Sequence, residues 1–401
     1  MSPWRRLVPA PLAVFLLTLG VLVSLARPAA AYPWMIRHEY TTCGLCHTDP
    51  SGGGLLTAYG RAQSAVLLST QFGTPTDDPG KFKDFLFGVV PTGEHVLVQG
   101  WAREGAILNR VNGKTVDKRL LAMRYDLGAQ VKFSPIRAAA ILGYAPNDTA
   151  AYSQQTWING GTSGHAVARE YWVGWDNEDE TLTIRAGRMN LPFGIRNVEH
   201  TLFVRNLTRT DSNQNQQHGV SVSYVADANR GEVMAIVGNF QLSPDAYRER
   251  GYAGYVEHTF AGKYAVGLSS LVTYASQDVN NPATSNLRQA HGVFGRLVPI
   301  KPLVLLVEAD ALFNGYKKSP NRSGGTGYVQ ADVEVTQGVH LLATGEAYNA
   351  GGDSEKTTYR VWGSAWWFIA PHIDLRGDVL RQMPSGGTAS TTFLGQLHLY
   401  L

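Results

Sequence analysis

From residue 94 to the end, apolar and polar residues take turns along runs of about ten to fifteen positions, the period-two pattern of strands with two unlike faces. Sixteen such runs can be placed, starting near residues 94, 118, 136, 164, 180, 217, 231, 250, 263, 288, 302, 325, 338, 356, 371 and 389. In one, Leu121, Met123, Tyr125, Leu127, Ala129, Val131 and Phe133 share a side, and Arg124, Asp126, Gln130 and Lys132 share the other. In another, Ile373, Leu375 and Val379 oppose His372, Asp374, Arg376, Asp378 and Gln382. An Arg or Lys facing lipid at the bilayer midplane costs roughly 2–4 kcal/mol. The charged faces are therefore predicted to line a lumen and the apolar faces to meet hydrocarbon.

The connections support this reading. Tight ones are expected at Ser134 with Pro135, 177–179, 227–230, Ala261 with Gly262, 299–301, Thr336 with Gln337 and Ala370 with Pro371. Long ones are expected at 109–117, 147–163, 190–216, 277–286 and 317–325. Short turns at one end and long loops at the other are what an outer-membrane barrel requires, and an even strand count returns both barrel ends to the periplasmic side. The predicted fold is all-β, a transmembrane antiparallel β-barrel of about sixteen strands preceded by a short helical segment. A soluble sandwich or propeller is the alternative, and it explains neither the alternating connections nor the low charge.

Composition narrows the class further. The chain has 401 residues, 17% of them charged, against roughly 25% in ordinary soluble domains. Aromatic residues make up 10%, which excludes a disordered chain. At the N-terminus Arg5 and Arg6 precede an apolar run that ends in Ala29, Ala30 and Ala31, so residues 1–31 read as a signal peptide and the chain as exported. Without that leader 32 basic residues face 32 acidic ones. No basic patch points to nucleic acid.

The only two cysteines, Cys43 and Cys46, are followed at once by His47. This is the CxxCH spacing of c-type haem attachment, in which two thiols reach the two vinyl groups of one porphyrin and the adjacent imidazole meets the iron. A strained disulfide, a zinc half-site and chance are the alternatives. Zinc wants four ligands, and no further cysteines supply them. The triplet Gly52, Gly53, Gly54 then forms a flexible turn. A short helix follows, with Leu55, Tyr59, Ala62 and Val66 predicted on its apolar face. Residues 32–93 are thus a monohaem segment with an aromatic-rich connector, and 94–401 the barrel. A segment this small has a marginal core of its own, so docking in the lumen is expected.

Together these features resemble the fused monohaem cytochrome–porins of iron-oxidising bacteria. The local likeness runs from Cys43 through a Pro and Gly turn to Leu56, Thr57, Ala58, Tyr59, Gly60 and Arg61. The stretch Gly187, Arg188, Met189, Asn190, Leu191, Pro192, Phe193, Gly194 is similar to a strand-end motif of anion-type porins. The resemblance implies one covalent haem c on Cys43, Cys46 and His47 in the outer membrane of a Gram-negative cell. It implies an electron conduit between an extracellular donor, such as Fe(II), and a periplasmic c-type cytochrome or other carrier. An iron(II):cytochrome oxidoreductase activity is one form of it. A passive porin whose haem segment is a plug or redox gate is the competing expectation.

Three further residues are candidates at the haem. Arg61 is expected either to pair with a propionate or to cap its helix. His38 and Met35, just before the motif, are candidates for the second axial ligand, with Met189, His95, His340 and His372 on faces able to reach the lumen. Inward acidic residues, Glu308, Asp310, Glu346, Asp374 and Asp378, form either a cation funnel or a salt-bridge lattice.

Overall fold

Each alternating run forms a strand in the computed structural model, which describes residues 33–71, 82–93, 95–144, 166–197, 199, 201–213, 215–226, 228–351 and 356–401. The expected leader, 1–31, and the expected long connection 147–163 lie outside the described residues. The strands are β1 (Val96–Val111), β2 (Lys114–Phe133), β3 (Ile136–Tyr144), β4 (Ala166–Asp176), β5 (Leu182–Met189), β6 (Gln217–Ala226), β7 (Asn229–Gly238) and β8 (Arg250–Phe260). They continue as β9 (Tyr264–Ala275), β10 (Asn286–Ile300), β11 (Leu303–Tyr316), β12 (Arg322–Thr336), β13 (Val339–Asn349), β14 (Thr358–Ala370), β15 (Ile373–Pro384) and β16 (Ser390–Tyr400). Each pairs antiparallel with its sequence neighbours, and β1 pairs with β16 through Trp101 and Tyr400 to close the barrel. Closure leaves no strand edge unpaired, which is the condition for crossing hydrocarbon with strands.

Side chains sort as the alternation requires. Leu127, Phe133, Val379 and Leu375 are exposed on the outer wall, whereas Asp126, Gln130, Asp374, Arg376 and Asp378 are buried inside. An apolar outer belt around a charged interior makes this a membrane barrel of the outer-membrane type. Two local readings need correction. The connection expected at 109–117 is instead a two-residue hairpin, with Val111 paired to Lys114 and positive φ at both Asn112 and Gly113. Asn-Gly suits that turn, whose twist matches that of the strands it joins. A bulge where Arg103 and Glu104 meet Arg124 and Ala122 also reverses the alternation in the first half of β2. Leu120 therefore faces outward at 79% exposure, and Leu121 does not.

Residues 33–71 lie inside the lumen. Trp34, Met35, Ile36 and Leu68 pack on Phe294, Leu306, Trp366 and Phe368 of the wall, and Leu55 packs in a second cluster with Trp101, Trp172 and Phe193. Burying each large apolar side chain contributes about 1.5–3 kcal/mol. Helix α1 (Ala58–Gln63) continues into one wide turn, Ser64–Leu68. Thr57 caps it by accepting from the Gly60 amide. Its predicted apolar face is wrong: Tyr59 and Val66 are exposed, and Gly60, Arg61, Gln63 and Ser64 are buried. The buried side packs on main chain, Gly60 against Cys46 and Arg61 against the carbonyls of Val98 and Leu401, while the apolar contacts come one turn later from Ala65 and Leu68.

A second segment, between β5 and β6, also folds inward and carries helix α2 (Phe203–Leu207). The Ile195 amide donates to Glu308 at 3.0 Å, the Phe203 amide to Glu346 at 2.7 Å, and Arg376 to Glu199 at 2.5 Å.

Candidate functional site

The CxxCH motif forms a tight turn in which the amides of Cys46 and His47 both donate to the Cys43 carbonyl, at 3.2 and 2.9 Å. The chain then loops out and returns, with the Thr48 amide donating to Leu55 O and the Thr57 amide to Cys46 O, both at 2.9 Å. Gly52, Gly53 and Gly54 make the return with φ of 97°, 88° and 63°, a run that only glycine adopts without strain. At Gly52 a Cβ would stand 3.1 Å from the Cys43 sulfur. The triplet thus lets main chain pass close to the motif.

Arginines of the wall and of the inward loop hold this turn. Arg296 donates to Thr41 O at 2.6 Å, Arg185 to Asp49 at 3.1 Å, and Arg196 to Ser51 Oγ at 2.6 Å. Arg230 Nη1 lies 2.8 Å from Cys43 Sγ. Both thiols are free and buried. Burial pushes the Cys46 thiol up to about 12. Burial also pushes the His47 imidazole down to about 4, with Asp49 offsetting part of the effect. The ring is therefore neutral at pH 7, the form that ligates a metal.

His47 lines two cavities, of about 140 and 310 Å³. The smaller is also lined by Trp101, Arg103, Arg124, Arg169, Arg196 and His398. Larger grooves, such as one of about 730 Å³ at Leu120, Trp367, Leu375 and Leu397, run along the outer wall and face lipid. The residues at the smaller cavity suit a haem c in kind. His47 and four guanidiniums line it, a set able to meet the iron and the carboxylates of such a group; the two free thiols sit on the same turn as His47 without lining the cavity, and His47 Nδ1 is buried without a partner. Among the described residues no group of three or more His, Cys, Asp and Glu is placed to hold a bare metal ion.

Other expected residues fall elsewhere. Arg61 donates to the carbonyls of Val98, Leu401 and Asp84 and does not line the His47 cavity. His38 meets Glu334 at 3.2 Å, and Met35 is sealed in the Trp34 and Phe368 cluster. His340 meets Trp34 at a tilt of 48°, His95 stacks on Phe133, and His372 meets Phe82 O at 3.0 Å. The acidic residues pair as a lattice: Glu308 with Arg205, Glu346 with Arg360, Asp378 with Arg376, and Asp374 with Trp366 and His398. Asp310 is buried with neither carboxyl oxygen partnered. Sequence reasoning missed His398, although its parity on the last strand, two residues from Gln396 and Tyr400, marks it as inward.

No family model matches the chain, and no curated protein matches it in sequence. Among solved structures it is similar to OmpT of Vibrio cholerae, at 12% identity and a TM-score of 0.59 over 78% of this chain and 100% of that one. It is also similar to an anion-selective porin from Comamonas acidovorans, at 11% and 0.58 over 76% and 99%. The fold is that of an outer-membrane porin. A third structure, OprB of Pseudomonas putida, aligns at 12% identity and 0.53 over 77% and 94%. An open porin of this size leaves a water channel. In this barrel the segment 33–71 and the inward loop occupy the lumen, and Arg196 of the loop joins them through Ser51.

Proposed function

We propose that the protein is an outer-membrane electron conduit, a porin barrel whose lumen holds one haem c on Cys43, Cys46 and His47. A haem bound there supplies one-electron chemistry. The observation that carries this reading is the position of the CxxCH turn: buried inside the barrel, docked by Arg185, Arg230 and Arg296, and next to a cavity ringed by guanidiniums. The barrel's part is to carry the site across an insulating layer of about 30 Å. The arginines would neutralise the carboxylates of the bound group, and burial would set its potential. The donor is an extracellular reductant such as Fe(II), and the acceptor a periplasmic cytochrome or similar carrier.

A haem stain and visible spectrum of the outer-membrane fraction, with and without Fe(II), test it. Covalent haem reduced by an external donor is the expected result, and its loss in both Cys43→Ala and Cys46→Ala ties it to the motif. Absence of covalent haem overturns the reading.

The comparisons by themselves support a second reading better: a passive porin or transporter, with residues 33–71 as its plug. A porin and an outer-membrane channel are among its structural neighbours, and the porin is named as anion-selective, for which the arginine-lined cavity is suitable. Steady ion conductance in a planar bilayer, unchanged when haem is absent, would favour it.

A further inference from the structure

The cavity at His47 is bordered by a second imidazole, and we infer that His398 is the other axial ligand of the haem. This rests on the haem reading above and names a residue for which the sequence offered His38 and Met35 instead. His398 stands on β16, 8% exposed, and its Nε2 is buried with no partner. Its Nδ1 lies 3.0 Å from Asp374 Oδ2, and Asp374 is itself fixed by Trp366 Nε1 at 2.8 Å. Arg103 is farther from the same nitrogen, at 3.4 Å. A carboxylate accepting from Nδ1–H fixes the tautomer that leaves a lone pair on Nε2, orients the ring and raises its basicity, as carboxylates behind metal-bound histidines do. His47 borders the same cavity. The two imidazoles come from the plug and from the last strand, so a shared ligand would bind plug to wall.

His38 and Met35 do not compete. His38 is taken by Glu334, and Met35 is buried in the cluster of Trp34 and Phe368 and does not line the His47 cavity. Asp374 is a positioning residue in this scheme.

The test uses the full chain extracted from outer membranes, with the heat-modifiable gel shift as the check on barrel folding. A haem stain on a denaturing gel comes first, because no covalent haem in the wild type would sink the underlying reading and this one with it. Given covalent haem, the ferric wild type is expected to be low-spin by visible and electron paramagnetic resonance spectra. His398→Ala is expected to turn high-spin and to regain the low-spin spectrum with added imidazole. His398→Met, which keeps a ligand and a similar volume, is expected to stay low-spin with a thioether-to-iron band and a higher midpoint potential. Asp374→Asn is expected to stay low-spin with a shifted potential. A folded His398→Ala or His398→Met protein that retains the wild-type spectrum would overturn the assignment while leaving the conduit intact. A high-spin wild type would overturn it equally.

Discussion

The guanidinium of Arg61 donates to the carbonyl of Leu401 at 3.1 Å, joining the N-terminal segment to the residue that follows the last strand, across 340 positions of sequence. The same Nη1 donates to Val98 O on β1 at 2.8 Å. Arg61 therefore clamps the seam where β1 and β16 close the barrel. Hydrogen bonds from a charged group contribute about 1.5–3 kcal/mol each. In Arg61→Gln the N-terminal segment is expected to be cut faster by protease in the extracted protein, with covalent haem and midpoint potential unchanged. A shifted potential with unchanged proteolysis would return Arg61 to a propionate.

Gly60 meets the motif with no room to spare: a Cβ there would fall 2.3 Å from Cys46 O and 2.7 Å from Cys46 Cα. Both are main-chain atoms, so the CxxCH turn itself would have to move. Gly44→Ala is a natural control, because its Cβ would come no nearer than 3.9 Å to Pro50 Cα. Haem staining is expected to fall several-fold in Gly60→Ala and to hold in Gly44→Ala at equal barrel yield. Equal staining in both would show that the turn tolerates displacement.

The barrel was readable in the chain because inside and outside differ at every second residue, and Asp374, Arg376 and Asp378 show it without any partner being known. Errors arose where one local event outweighed the period: the Asn112-Gly113 turn, and the bulge that sent Leu120 outward. The turn at Cys43, Cys46 and His47 stands out in the chain by its spacing, and the haem that spacing suggests is the proposal made above. What surrounds the turn was not readable. The partners of Asp49 and Ser51 are Arg185 and Arg196, well over a hundred positions away. The buried face of α1 differs from the expected one because Gly60 and Arg61 are fixed by main chain, of Cys46 and of Val98 and Leu401, which the side-chain period does not register.

Arg185 shows how the wall holds the plug. It is fully buried and donates to Asp49 at 3.1 Å and to Glu232 at 2.6 Å. Removing one member of a buried ion pair typically costs about 3–5 kcal/mol, because the remaining charge has no water to turn to. Arg185→Met strands two carboxylates. The plug is expected to loosen, raising single-channel conductance and protease access to residues near Ser51. Adding Asp49→Asn should restore part of the closed state. Unchanged conductance in the single variant would mean that the other arginines suffice.

The inward loop has a latch of its own with a pH limit. Arg209, in the loop, donates to Asp278 at 2.9 Å and to Glu249 at 2.8 Å, and Asp278 also accepts from Asn286 at 2.7 Å. Burial would push the Asp278 carboxyl up, but Arg209 and these hydrogen bonds outweigh it and hold it below the ordinary carboxylate range. A carboxyl depressed in the folded protein contributes stability that is fully present above its unfolded value of 3.8 and is lost as pH falls through the lower folded value. The latch is thus expected to hold at neutral pH and to open only below that range. Loop mobility, read by cysteine labelling at Ser212→Cys, should rise below about pH 4 in the wild type and already be high at pH 7 in Asp278→Asn. Labelling that is the same in both proteins from pH 7 to pH 3 would remove Asp278 from the latch.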